Sequence, residues 1–167
     1  LAERFAVLGD PGGATVVTMP TTRMGAHALR ARLDTFWCGT LAGGCGGQLI
    51  IKAGEQRVPH FSHMPGKGRL DCTSTGEPRL MAERYTHLLL QQDLRDWLRG
   101  LGYEPSIEHR FVDGRFDLHV CVDDRAQAIE IQRSPLSKSA WLERDNRYAA
   151  EVDYVTWLWG RERETEA

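Results

Sequence analysis

The stretch from Asp113 to Ser134, DGRFDLHVCVDDRAQAIEIQRS, limits what this chain can fold into more than any other. Polar and apolar residues alternate from Arg115 to Asp123 and again from Ile129 to Gln132, and Asp113-Gly114 and Asp123-Asp124 are turn signals around the first run. The pattern predicts a β-hairpin. Because side chains alternate along a strand, Glu130 and Gln132 are expected on one face of the second strand and Ile129 and Ile131 on the other. Asp117 lies on the preceding strand, and a paired register sets its carboxylate beside Glu130. Two carboxylates meeting there, with a polar group two residues on, suit a hard divalent cation that takes oxygen ligands.

Length bounds how much else the chain can hold: 167 residues bury one full core, or one core and a small appended module. A formal charge of −2 and a pI near 6.3 give no global attraction to nucleic acid, so contact with DNA has to come from local basic clusters. No stretch has the apolar length of a membrane span or the pattern of a secretory leader, and a cytoplasmic location is expected. In that compartment four irregularly spaced cysteines, three of them interleaved with histidines, point to metal binding rather than to disulfides.

That metal signal lies between Phe36 and Cys72. Cys38 and Cys45 flank a glycine-rich turn, which lets the backbone fold closely enough for two thiolates to meet one ion. His60-Phe61-Ser62-His63 then supplies imidazoles, and Cys72 follows a Pro-Gly loop. Five donors compete for four tetrahedral positions. Cys38, Cys45, His63 and Cys72 are the preferred set with His60 in reserve, because imidazoles three residues apart point to opposite faces of an extended segment. An ion with all four positions filled by protein is structural. Buried cysteines beside surface histidines are the plainer alternative.

Around these regions the chain is ordinary. Arg4 to Met19 is a hairpin split at Asp10-Pro11-Gly12-Gly13, and Thr21 to Leu33 is a short helix capped by Thr21 or Thr22. Its Arg23, Arg30 and Arg32 make a solvated face more readily than a phosphate contact. Thr73 to Glu77 has linker composition, and Pro78 opens a helix over Arg79 to Arg99 that ends at Gly100 or Gly102. Glu83 and His87 share a face of that helix, and Glu83 can simply pair with Arg79 or His87. A strand is expected over Glu104 to Val112, with Cys121 as a small core residue on the next one. Ser134-Pro135 is expected to start a helix running to about Ala150, its basic side formed by Lys138, Arg144 and Arg147, before a last strand over Asp153 to Trp159.

The pattern D-x12-E-x-Q, followed by Ser and by a helix carrying R-x-x-x-Y, is carried by Asp117, Glu130, Gln132, Ser134, Arg144 and Tyr148. It resembles the PD-(D/E)XK nuclease superfamily in the form found in competence protein CoiA-like proteins, and the upstream cysteine pair with its HF-x-H motif matches that family too. The resemblance runs from Cys38 to Trp159. It implies an α+β chain with a restriction-endonuclease-like α-β-β-β-α-β core at 74–167, preceded by a zinc-stabilised β module at 1–73. It also implies a Mg²⁺-dependent deoxyribonuclease, an endonuclease, in which Glu83, Asp117, Glu130 and Gln132 are catalytic. Asp117 and Glu130 would hold Mg²⁺ or Mn²⁺, His87, Arg144 and Tyr148 would contact DNA, and the thiolate cluster would hold structural zinc. Gln132 stands where most of the superfamily has Lys. A catalytically inactive DNA-binding accessory protein that keeps the fold is therefore the competing expectation.

Overall fold

The computed structural model describes residues 4–66, 72 and 78–160. The chain divides into two compact units, Leu1–Leu89 and Leu90–Ala167. The linker expected at Thr73 to Glu77 lies outside the described residues.

The first unit is built on five antiparallel strands, β1 (Phe5–Leu8), β2 (Val16–Thr18), β3 (Phe36–Trp37), β4 (Gln48–Lys52) and β5 (His60–His63), in the order β2-β1-β3-β4-β5. The β1–β2 turn forms as its chemistry demands: the Gly12 N–H donates to Asp10 Oδ1 at 2.7 Å, and the Gly13 N–H donates to the Asp10 carbonyl at 3.0 Å. Helix α1 (Arg23–Ala31) starts where Thr22 Oγ1 accepts the Gly25 N–H at 3.1 Å, and it buries Ala26 and Leu29. Its arginines are occupied locally. Arg30 donates to the Ile51 carbonyl at 2.5 Å, Arg32 meets Asp34 at 2.9 Å and Arg23 meets Glu55 at 3.8 Å. The core joins Ala6, Met19, Phe36, Leu49, Ile51 and Phe61 to the sulfurs of Cys38 and Cys72.

Helix α2 (Pro78–Gly100) runs through the point where the two units divide. Within the first unit its Tyr85 ring stacks on Phe5 with centroids 5.4 Å apart, and the Tyr85 hydroxyl accepts the Gly39 N–H at 2.8 Å.

In the second unit the end of α2 is followed by β6 (Ser106–Phe111), β7 (Gly114–Val122), β8 (Arg125–Gln132), α3 (Lys138–Ala149) and β9 (Tyr154–Trp159). The sheet order is β6-β7-β8-β9, antiparallel except for β8 with β9, which run parallel across the α3 connection. This is the α-β-β-β-α-β order that the resemblance implied. Asp123 and Asp124, with φ of 50° and 61°, make the two-residue turn whose twist suits a hairpin. Consecutive residues Ala128 and Ile129 belong to different apolar clusters, so both faces of β8 are covered. Ile129 and Ile131 pack with Leu98 and Leu118, while Ala128 packs with Phe116 and Tyr148.

Several boundaries differ from expectation for identifiable reasons. The β6–β7 turn is Val112-Asp113, one residue early, because Phe111 pairs with Gly114. Strand β6 begins after Pro105 rather than at Glu104, a proline having no N–H to give a ladder. Helix α3 begins at Lys138, where Ser137 and not Ser134 caps it by accepting the Ala140 N–H at 3.2 Å. Ser134 precedes a proline, which keeps it out of helical geometry. Cys121 is exposed rather than in the core, because Leu118 and Val120 fill the apolar side of β7 and Cys121 falls on the other phase of the alternation.

Candidate functional site

In the first unit Cys38, Cys45, His63 and Cys72 bring four donor atoms within 4.8 Å of one another. Cys38 Sγ and Cys72 Sγ lie 3.7 Å apart, and Cys45 Sγ lies 3.2 Å from His63 Nε2. The bend that permits this needs glycine at position 44, where a Cβ would stand 2.5 Å from Cys38 Sγ. His60, three residues before His63 on β5, turns its Nδ1 to the Val58 carbonyl at 2.9 Å and so leaves the fourth place to His63. Three sulfurs and one imidazole, half of them fully buried, match the chemistry of a tetrahedral structural zinc site.

In the second unit the register of β7 with β8 pairs Leu118 with Ile129, which sets Asp117 across from Glu130. Two side-chain to backbone bonds cross between the strands at this point. Glu130 Oε1 accepts the Asp117 N–H at 2.9 Å, and Asp117 Oδ2 accepts the Ile131 N–H at 2.7 Å. The Glu130 carboxylate thus holds the Asp117 backbone, and the Asp117 carboxylate holds the backbone one residue past Glu130, which ties the two strands together at this pair.

Glu130 is only 6% exposed. Burial, and then the neighbouring Asp117 charge, push its carboxyl up to about 7, against the pull of the Asp117 N–H, Arg144 and the Tyr148 hydroxyl. Burial and the Glu130 charge also raise the Tyr148 hydroxyl, to about 12, so it stays a proton donor at neutral pH. The all-oxygen pair, repelling itself in a desolvated place, is what a divalent cation would stabilise.

Gln132 continues the same face. Its Nε2 donates to the Ser134 carbonyl at 2.6 Å, and its Oε1 accepts from Arg144 at 3.4 Å. Tyr148 packs on Phe116 with centroids 5.1 Å apart and reaches the Arg115 carbonyl at 3.3 Å. Asp117, Glu130, Gln132, Ser134, Arg144 and Tyr148 therefore form one connected set. Glu83 lies on the part of α2 that belongs to the first unit and pairs there with Arg79 at 3.2 Å, one turn before His87.

Two residues of the site escaped sequence reasoning. Gln91, on α2, is fully buried, and its Nε2 donates to both Asp117 Oδ1 and Glu108 Oε1 at 2.8 Å. Its signal was a polar residue on the helix stripe that carries Leu88, Leu94 and Leu98. Glu108 gave no signal at all. It lies across from Asp117, between the pairs Ile107 with Leu118 and His109 with Phe116, and has a left-handed φ of 53°.

Residues 83–167 match the family described as competence protein CoiA, nuclease-like domain, and residues 21–73 match the CoiA N-terminal domain. The chain is 28% identical to the competence protein CoiA of Bacillus subtilis (strain 168) over 121 residues, 71% of this chain and 31% of that protein. It thus spans less than a third of that relative's length in the matched region. No solved structure gives a significant match.

Proposed function

The chain belongs to the CoiA nuclease-like family, and from that premise we propose that it is a Mg²⁺- or Mn²⁺-dependent deoxyribonuclease, an endonuclease acting in cytoplasmic DNA processing, recombination or defence. The observation that carries this reading is the interlocked pair Asp117 and Glu130, with a buried carboxyl raised to about 7. A protein that only binds DNA gains nothing from buried carboxylates that repel phosphate. Among the described residues no helix is long and apolar enough to cross a membrane.

Asp117 and Glu130 would hold the cation, which when bound lowers the pKa of a water and offsets charge developing on phosphate oxygens. The remaining work falls to the chain's own groups. Glu130 must give up its proton before it can serve as a ligand, so the site becomes competent as pH rises through about 7. Gln132, steadied by Ser134, orients the attacking water through hydrogen bonds but brings no charge. Arg144, beside Gln132, supplies the nearest positive charge on that face and is the residue best placed to meet a phosphate. The four-donor cluster of Cys38, Cys45, His63 and Cys72 would hold zinc in a structural role, with every position of the ion filled by protein.

Single-stranded, duplex and branched DNA should be tested with Mg²⁺, Mn²⁺ or no added cation. Cation-dependent cleavage is the expected result. Arg144→Ala is expected to weaken DNA binding and to reduce the salt slope by about one. Unchanged affinity with a lowered melting temperature would instead make Arg144 a support for Gln132.

Gln132 itself favours one second reading, an accessory protein that binds DNA without cutting it, because an amide replaces the usual lysine. Gln132→Lys separates the two. On the nuclease reading it is tolerated and raises the cleavage rate. If parent and variant both bind DNA and neither cuts it, the accessory reading holds.

A further inference from the structure

We infer that Gln91 is a positioning residue that sets the cation affinity of Asp117, anchored for that task by Glu108 and Arg115; this rests on the nuclease reading above. Asp117 and Glu108 stand directly across from each other on β7 and β6, an arrangement that like charges disfavour. The Gln91 amide resolves it. An amide nitrogen carries two protons, and Gln91 Nε2 gives one to Asp117 Oδ1 and one to Glu108 Oε1, each at 2.8 Å.

The other Glu108 oxygen forms an ion pair with Arg115 Nε at 2.7 Å, without hydrogen-bond geometry. A line of contacts therefore runs from Arg115 through Glu108 and Gln91 to Asp117, while the Ile131 N–H fixes the second Asp117 oxygen at 2.7 Å. With both oxygens held, Asp117 presents one orientation to a cation. Two further features mark this arrangement as one that packing and strand geometry alone would not favour. Gln91 is completely buried, and its Oε1 has no hydrogen-bond partner among the described residues, so an apolar side chain would pack there at lower cost. Glu108 also leaves the extended region, at φ 53°, although its neighbours keep their pairing on both sides. The alternation breaks at the same point: Phe116 joins the cluster of Ala128 and Tyr148, whereas Leu118 and Val120 join that of Leu98.

The test is Gln91→Met, which keeps the volume and removes the donor. Cleavage and calorimetric titration are followed against Mg²⁺ concentration, beside the parent. Loss of an outer partner of a metal ligand costs roughly 10–100-fold in metal affinity. The variant is expected to need about tenfold more Mg²⁺ and to recover most of its cleavage at saturation, a split that a merely structural role would not produce.

A variant with the parent's Mg²⁺ requirement overturns the inference and leaves the nuclease reading standing. A parent that neither binds Mg²⁺ nor cleaves removes the nuclease reading, and the inference falls with it. Should the variant not fold, the parent's Gln91 side-chain amide resonances decide by NMR. They are expected to be protected from solvent exchange and to shift as Mg²⁺ is added; resonances that exchange freely and ignore Mg²⁺ overturn the inference.

Discussion

Glu130→Ala is expected to abolish DNA cleavage and Mg²⁺-dependent stabilisation together, while the metal-free protein remains folded. The residue is a proposed cation ligand, it sits 2.9 Å from the Asp117 N–H, and its charge is the costly one of the pair. The sign of that cost follows from its titration. Glu130 ionises near its ordinary value of 4.5 in the unfolded chain and at about 7 in the folded one, so between those values the folded state binds more protons. Metal-free stability should therefore fall as pH rises from 4.5 to 7, by an amount on the order of 3 kcal/mol if the whole shift were expressed.

Glu130→Gln, which keeps the shape without the charge, should cancel that loss. Thermal melts of parent and Glu130→Gln at pH 4.5 and pH 8, without added cation, are the measurement. The variant should be the more stable at pH 8, and its advantage should shrink at pH 4.5. Equal differences at both pH values would mean that Glu130 is not the group responsible. The stabilisation that Mg²⁺ gives the parent through mass action should in turn grow as pH rises through about 7, because cation and proton compete for the same oxygens. Cleavage by Glu130→Ala at the parental rate would exclude this hairpin as the active site.

The second large effect concerns the cluster of Cys38, Cys45, His63 and Cys72. One zinc per chain is expected by elemental analysis of protein purified without chelator. Cys38→Ser or Cys45→Ser should lose the ion and much of the stability of the first unit. Its apolar core is small, with two of the four donors, Cys38 and Cys72, built into it. Structural zinc adds about 10–16 kcal/mol of apparent binding free energy in the smallest modules, comparable with the whole stability of a domain. Even a fraction of that lowers the melting temperature by about 10 °C or more in a unit of this size. Less than about half an equivalent of zinc in the parent, or a serine variant melting like the parent, would remove zinc from the account. Cleavage assays should therefore withhold Mg²⁺ without a strong chelator, so that loss of a zinc ion from the thiolate cluster would not be mistaken for loss of a catalytic cation.

How much of this was legible in the sequence differs from residue to residue. The period-two pattern and the Asp123-Asp124 turn fix a hairpin register, and a register alone sets Asp117 opposite Glu130. The His60 and His63 spacing likewise lets only one imidazole face the thiols, because three residues along a strand reverse the face, and the structure shows that one to be His63. Local rules placed these residues because each depends on neighbours close in the chain or on a single hairpin pairing. They failed for Ser134 and Ser137, where either serine could cap a helix and only the observed geometry shows Ser134 engaged by Gln132. They failed for Cys121 too, whose small apolar side chain carries no mark of which face it will take.

The sequence by itself determined the order of elements in the second unit, the five candidate donors of the metal cluster and the run Asp117, Glu130, Gln132, since alternation, turn chemistry and donor type are properties of short stretches. Only the tertiary structure decided how Asp117 is held. Gln91 stands 26 residues before Asp117 in the chain, and Glu108 reaches Gln91 through a backbone angle that no residue type announces. The tertiary structure also gave Glu130 its charge state. A carboxylate on an exposed strand would ionise near 4.5, and it is burial beneath α3, with Asp117 alongside, that lifts it to about 7. The register already set the two charges side by side, but desolvation depends on what packs around a group in three dimensions, and no reading of a short stretch contains that information.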